Sequence, residues 1–308
     1  MVEAENWEKI IEDGLKDAAV LSYVKEALVT GYKNMGIIKP ESFVEKVFDL
    51  LISDRSMTIQ EKLEYIRTTY SLDWHEGRSI KDVWSDYYRK VEAPFISCLI
   101  KGSIEGDKLL EVGTGRGWVA YNLRKCFEKE MNIVQTDLFD YRAPEVKKIK
   151  EFVFIQTTKE MPFPFPDKCF DTAFIVYILH HLESKLATIS FLRELRRITK
   201  KKIVILDDVY TLSPTPQKFR FRQASVSDKF HLLNEFQKVT SLIFSCSFSN
   251  RVDGGGMNVP APRIFMEYNK FIEMLHGIFN DATITAEYLG IPETKVYLNS
   301  EGIFEITL

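Results

Sequence analysis

The sequence predicts an α/β fold: a doubly wound, mostly parallel sheet of seven strands, with a helical N-terminal region and a helical insertion before the last two strands. Three observations predict it. Between about residues 108 and 208, short apolar runs alternate with stretches of helical periodicity. That is the pattern of parallel strands whose connecting helices cover both faces of the sheet. The first apolar run leads directly into "EVGTGRG", three glycines at alternate positions. Two strand-like runs, "ATITAEYLGI" and "EGIFEITL", come last and are expected as an antiparallel pair at the sheet edge.

The chain has 308 residues, 45% of them hydrophobic and 28% charged, which suits a globular protein with a sizeable core. A formal net charge of −3 disfavours nucleic acid as a partner, because nonspecific binding needs a basic surface. Cys98, Cys126, Cys169 and Cys246 form no CxxC pair, so they are expected to be free, mostly buried thiols in a reducing compartment. The opening "MVEAENWEKIIEDGLK" is acidic and amphipathic, unlike a secretory signal. No apolar run reaches the ~18 residues of a membrane span, so a cytoplasmic location is expected.

The elements follow in order. Residues 6 to about 101 carry helical spacing, with Trp7, Ile10, Ile11, Leu15, Ala18 and Ala19 on one face. Pro40 opens a second helix whose face is Phe43, Val44, Val47, Phe48 and Leu51. "KLLEV" reads as a short buried strand, followed by a helix over 118–127. "MNIVQTD", "EFVFIQ", "FDTAFIVYI" and "KKIVILD" read as further strands. "ATISFLRELRRIT" is a helix with Ile189, Leu192, Leu195 and Ile198 facing inward. After Asp208 the alternation stops. "YTLSPTPQKFRFRQ" reads as loop, "KFHLLNEFQKVTSLIF" as helix, "RVDGGGMNVPAPR" as loop and "RIFMEYNKFIEMLHGIF" as helix. The expected organisation is a helical N-terminal cap or dimerisation region over 1–101 and a ligand-binding domain over 102–308, with a substrate-binding insertion at 211–278.

Glycine permits positive φ and lets a backbone approach a ligand with no Cβ in the way. A strand, a glycine turn and a helix also aim helix N-terminal N–H groups at whatever binds there. The turn is therefore a nucleotide-type site. A dinucleotide fingerprint would carry its third glycine where Trp118 stands.

The observed pattern, Glu111 then Gly113, Gly115 and Gly117, resembles the class I S-adenosylmethionine-dependent methyltransferase family. Four further features carry the resemblance over residues 108–208. Asp137 closes the second strand, 20 residues beyond Gly117. "MPFPFPDKCFD" is similar to the family's LPFPDxSFD segment, with Asp171 opening the fourth strand. "YILHHL" ends that strand as LHH does in many members. "FLRELRRITKKKIVILDD" is similar to the family's helix, basic turn and fifth strand, with Lys200–Lys202 in place of its Gly-Gly. That turn is expected on the side of the sheet away from the ligand, as solvated charge.

The resemblance implies a Rossmann-like methyltransferase fold, S-adenosylmethionine as cofactor and S-adenosylhomocysteine as product. It implies cofactor contacts from Glu111, Gly113, Thr114, Gly115, Gly117, Asp137, Leu138 and Tyr177. Asp137 would take the two ribose hydroxyls. Where the family often holds adenine with an acid, Thr157 and Thr158 stand instead.

His180 matches the base of plant-type O-methyltransferases, and an imidazole can take a proton from a hydroxyl near neutral pH. His181 is its neighbour, and adjacent residues ending a strand are expected to point different ways. Asp207 and Asp208 end the fifth strand and are expected to cap loops or touch substrate. No metal is expected, because the end of the fourth strand lacks the partner acid. Tyr88, Asp208, Arg220 and Arg222 are the candidate substrate contacts. The arginines of "KFRFRQ" could clamp a carboxylate, and Gly254–Gly256 could be a hinge or merely a loop.

The leading expectation is methyl transfer to a hydroxyl or phenol of a small molecule. One alternative is a carboxyl O-methyltransferase acting on a peptide. An alternative of another class is a noncatalytic partner subunit that keeps the fold. The amphipathic N-terminal helices are expected to cover the cofactor or to form a homodimer contact.

Overall fold

The computed structural model describes all residues except 1, 4–5, 55, 71–75, 128–130, 160, 214–217 and 255–260. The chain forms two units, each assembled from separated segments. A helical unit comprises Met1–Tyr88, Asp208–Glu267 and Leu289–Glu301. A sheet unit comprises Arg89–Asp207, Tyr268–Tyr288 and Gly302–Leu308. Among the described residues no helix is long and apolar enough to cross a membrane.

The helical unit begins with β1 (Val2–Glu3), α1 (Trp7–Gly14), α2 (Ala18–Asn34), α3 (Glu41–Ser53), α4 (Ile59–Tyr65) and α5 (Ile80–Tyr87). Polar caps define where these helices start. Asp17 accepts from Ala19 N at 2.8 Å, Thr58 and Glu61 form a reciprocal capping box, and Ser79 accepts from Asp82 N.

The sheet unit then supplies α6 (Ala93–Lys101), β2 (Lys108–Val112), α7 (Trp118–Lys125), β3 (Asn132–Asp137), α8 (Pro144–Lys147), β4 (Phe152–Gln156), β5 (Phe170–Val176), α9 (Lys185–Ile198) and β6 (Thr199–Tyr210). β6 belongs to the sheet unit through Asp207. The helical unit continues with α10 (Ser227–Leu232), α11 (Glu235–Phe248) and β7 (Ile264–Glu267). α12 (Tyr268–Ile278) and most of β8 (Thr283–Gly290) and β9 (Glu301–Thr307) return to the sheet unit.

In the sheet unit the strand order is β4–β3–β2–β5–β6–β9–β8. β4, β3, β2, β5 and β6 are mutually parallel. The order reverses beside β2, where chain connections leave in opposite directions, the switch point outside whose strand C-termini doubly wound sheets bind ligands. The interior strands bury continuous apolar runs, Ala173–Ile175 and Ile203–Leu206 among them. α9 lays Phe191, Leu192, Leu195 and Ile198 onto the sheet, whereas Ile189 is only half-buried.

The helical unit packs around its own aromatic core. Phe48 and Phe244 stack with centroids 5.5 Å apart, and Phe244 stacks on Phe248 at 5.8 Å. Each fully buried ring contributes roughly 1.5–3 kcal/mol of transfer free energy. Backbones approach closely here. A Cβ on Gly31 of α2 would lie 2.0 Å from the Val296 carbonyl oxygen. In the same unit, Met266 and Glu267 of β7 pair in parallel with Val209 and Tyr210, and β1 pairs antiparallel with β7.

Several expectations change. Residues 264–267 are a strand, not the start of a helix. All four are buried; Ile264 and Phe265 pair with β1, Met266 and Glu267 with β6, and a short fully buried run reads the same in either conformation. The expected single helix over 229–244 is two, because the Asn234–Gln237 capping box starts α11 afresh. The expected basic turn at 200–202 is no turn. α9 ends at Ile198 and β6 starts at Thr199, and its lysines are paired: Lys201 with Asp171 at 3.0 Å, and Lys202 with Glu105 at 3.2 Å. Only Cys246 of the four cysteines is buried; Cys98 is exposed. The suggested hinge residues Gly255 and Gly256, and residues 214–217 of the expected loop, lie outside the described residues.

Candidate functional site

The glycine turn joins β2 to α7. Gly113, Gly115 and Gly117 all have positive φ, at +74°, +51° and +76°. A Cβ at Gly113 would meet Ile178 Cδ1 at 2.0 Å, and one at Gly117 would meet Val146 Cγ1 at 2.7 Å. Gly115 differs, because a Cβ there meets no atom within 4 Å. Packing therefore explains two of the glycines, while the third leaves an open cradle over the backbone.

Beneath the turn, Glu111 is buried at the end of β2. It accepts from Thr114 Oγ1 at 2.5 Å and from Gln135 Nε2 at 2.8 Å. Burial raises its carboxyl to about 7, against the opposing effect of those donors. Gln135 Nε2 also reaches Thr114 Oγ1 at 2.8 Å, and Arg142 Nη1 reaches Gln135 Oε1 at 3.3 Å. This network ties β2, the turn and β3 together. Gln135 and Arg142 were not expected from the sequence. Gln135 lies two residues before Asp137 on one strand and so shares its face, which is the cue that could have found it.

Asp137 ends β3 beside the turn. Its Oδ2 accepts from Gly115 N at 2.8 Å and its Oδ1 from Leu138 N at 2.7 Å. Burial raises its pKa, opposed by the backbone N–H groups of Gly115, Leu138 and Phe139. Three N–H donors on the four lone-pair positions of the carboxylate leave room for a further donor such as a hydroxyl. The next strand end is close by: Thr157 N donates to Asp137 O at 3.0 Å, and Gln156 Nε2 donates to Leu138 O at 2.9 Å. Thr157 is buried and Thr158 exposed.

Past β5 the chain turns sharply. Tyr177 has φ +57°, and its N–H donates to Leu206 O at 2.8 Å. Leu179–His181 then form one 3₁₀ turn. The two histidines thus lie on a helical turn rather than a strand, and their ring centroids are 4.2 Å apart instead of pointing away from each other. His180 Nδ1 is 2.6 Å from Asp207 Oδ1, and both residues are buried. Asp207 Oδ2 accepts from Ile178 N at 3.1 Å and from Leu179 N at 2.7 Å. Asp207 was expected to cap a loop or touch substrate. It caps the 3₁₀ turn and also orients the imidazole. An ionised carboxylate only accepts, so His180 carries its proton on Nδ1 and presents Nε2 as the acceptor.

Glu111, Gly113, Thr114, Gly115, Gly117, Asp137, Leu138, Thr157, Thr158, Tyr177, His180 and His181 all lie in the sheet unit, at or just beyond the strand C-termini. The four expected substrate contacts belong to the helical unit. There Tyr88 stacks on Trp84 at 5.4 Å. Asp208 is buried and accepts from Asn299 Nδ2 at 2.8 Å and from the Cys246 thiol at 3.3 Å. Arg222 Nε pairs with Glu293 at 3.1 Å, and the Arg220 guanidinium sits 5.1 Å over the Phe221 ring.

Residues 110–206 match a family model described as a methyltransferase domain. No curated protein matches the chain. Solved structures similar to it include a magnesium protoporphyrin IX methyltransferase from Synechocystis with bound S-adenosylhomocysteine, at 10% identity and TM-score 0.46, covering 79% of this chain and 96% of that one. An S-adenosylmethionine-dependent methyltransferase from Thermotoga maritima matches at 13% identity and TM-score 0.45, covering 80% and 97%. One from Aquifex aeolicus matches at 15% and 0.42, covering 72% and 93%. The matched span contains the glycine turn, its acidic partner at Asp137 and the open cradle at Gly115. Residues 110–206 therefore form a methyltransferase domain, for which S-adenosylmethionine is the cofactor.

Proposed function

We propose that the chain transfers the methyl group to a hydroxyl or phenol of a small molecule, with His180 as general base. The hydrogen bond between His180 Nδ1 and Asp207 Oδ1 carries this reading. S-adenosylmethionine supplies an electrophilic methyl on a sulfonium and needs no activation. A hydroxyl acceptor does need help, because it must lose its proton as it attacks. His180 Nε2 takes that proton, and the Asp207 carboxylate stabilises the resulting imidazolium. A positioned base of this kind contributes typically ~10²–10⁴-fold.

The cofactor's ribose diol falls to Asp137, and its methionine end to the glycine turn held by Glu111, Thr114 and Gln135. Thr157 or Thr158 is the candidate acceptor for the adenine amino group. The remaining work is to align the nucleophile with the methyl and to exclude water.

A carboxylate acceptor, ionised without a base, would depend on Arg220 and Arg222. Arg222 already pairs with Glu293 and Arg220 lies over Phe221, so the clamp has less support than the dyad. The test is transfer of labelled methyl to an extract, followed by characterisation of the product. An ether that survives mild base, with turnover reduced by ~10²-fold or more in His180→Ala, is the expected result. A base-labile methyl ester made equally well by His180→Ala would replace this reading with the carboxylate one. Cofactor binding with no labelled product from any acceptor pool would favour the noncatalytic subunit.

A further inference from the structure

Two cysteines stand apart from the methyl-transfer chemistry. Cys98 is an exposed residue of α6, and Cys126 is the half-buried C-cap of α7. The two helices pack together within the sheet unit. Two contacts bracket the pair. On one side Ser97 Oγ donates to Val119 O at 2.9 Å. On the other, Lys101 Nζ sits 5.8 Å over the Phe127 ring. Cys98 follows Ser97 and Cys126 precedes Phe127, so the helix packing that makes these contacts also brings the thiols together. Burial raises the Cys126 pKa, and Cys98 adds to this through its charge and a thiol–thiol hydrogen bond, while Lys101 opposes it. Cys126 Sγ also lies 3.3 Å from Asn122 O.

We propose that Cys98 and Cys126 form a modification site: a dithiol that a peroxide oxidises to an intramolecular disulfide and a thiol reductant restores. Cys98, the exposed member, reacts first. Its sulfur attacks one peroxide oxygen, the O–O bond breaks, and a sulfenic acid forms. The departing oxygen leaves as hydroxide and takes the thiol proton as water. Cys126 then attacks the sulfenic sulfur. The S–S bond forms, the S–O bond breaks, and the hydroxyl leaves with the Cys126 proton as a second water. The two sulfurs together lose two electrons and the peroxide gains them. The product ties the C-terminal end of α7 to α6. The glycine turn lies at the other end of α7, so the site is independent of the methyl-transfer reading.

The experiment uses the full chain. Folded protein is treated with hydrogen peroxide and its remaining thiols are alkylated. The products are then weighed intact and mapped as peptides. The expected result is loss of two of the four alkylatable cysteines and a linked peptide joining Cys98 to Cys126, with both thiols recovered by dithiothreitol. Cys98→Ser and Cys126→Ser should each give no linked peptide. Cys169→Ser should keep the link. Four alkylatable thiols after peroxide treatment would overturn the proposal. So would a link to Cys169 or Cys246, or oxidation of Cys98 to the sulfinic acid without any linked peptide. Because the wild-type map is read directly, no outcome depends on a variant folding.

Discussion

Asp207→Asn is the sharpest test of the proposed chemistry, because the geometry dictates which way the new amide must face. In the wild type, Oδ2 accepts two backbone N–H groups, Ile178 N at 3.1 Å and Leu179 N at 2.7 Å, while Oδ1 faces His180 Nδ1 at 2.6 Å. An asparagine must keep its carbonyl oxygen on the two N–H donors, since an NH₂ there would meet them donor to donor. Its NH₂ then faces His180 Nδ1, which can only accept from it. The imidazole proton moves to Nε2, and the nitrogen that should receive the substrate proton already carries one.

Size and packing barely change, so folding and cofactor affinity should hold. Turnover should fall by ~10²–10⁴-fold, the usual contribution of a positioned base. The assay compares kcat, acceptor KM and cofactor Kd for wild type, Asp207→Asn and His180→Ala. The two variants should lose kcat to a similar degree, and the double variant should lose little more, because the residues act as one unit. The acid limb of the wild-type pH profile, where the base becomes protonated, should vanish in both. An Asp207→Asn enzyme with wild-type kcat and an unchanged pH profile would refute the dyad. So would full losses that multiply in the double variant.

Other predictions follow from single contacts. Gly115→Ala meets no atom within 4 Å, so it should cost only the ~1–2 kcal/mol of a left-handed residue, yet weaken S-adenosylmethionine binding by calorimetry at least ~10-fold. Gly113→Ala, whose Cβ would lie 2.0 Å from Ile178 Cδ1, should lose a further ~1–3 kcal/mol in denaturant unfolding. Gly31→Ala places its Cβ 2.0 Å from the Val296 carbonyl, a backbone atom that cannot step aside; about 3 kcal/mol of stability should be lost. Glu111 is raised from 4.5 to about 7 by burial, so the folded state keeps a proton that the unfolded state has released. Its contribution is complete below pH 4.5 and lost as pH rises through about 7. Glu111→Gln should therefore flatten that slope, with urea midpoints showing a gain on the order of 1–3 kcal/mol on the alkaline side relative to wild type. Asp253, buried in the helical unit and also raised to about 7, should leave a residual slope of the same sign.

The sequence alone determined the sheet and its cofactor turn. Local chemistry suffices there. Apolar runs separated by helical periods can only be covered strands, and three glycines after a strand require positive φ, found at Gly113, Gly115 and Gly117. The place of Asp137 beside the turn was legible because it depends on spacing along one strand–turn–helix unit. Residues 264–267 were not, because a fully buried apolar run has no period to read. Nor were the two assembled units, since each draws on segments from distant parts of the chain. The tertiary structure also decided which group partners His180. "ILHH" names a histidine, but its partner Asp207 lies 27 residues away on another strand. Only the parallel pairing of β5 with β6, followed by the left-handed turn at Tyr177, brings that carboxylate to the imidazole. A hydrogen bond between side chains from different strands depends on register and turn geometry, and tertiary packing settles both.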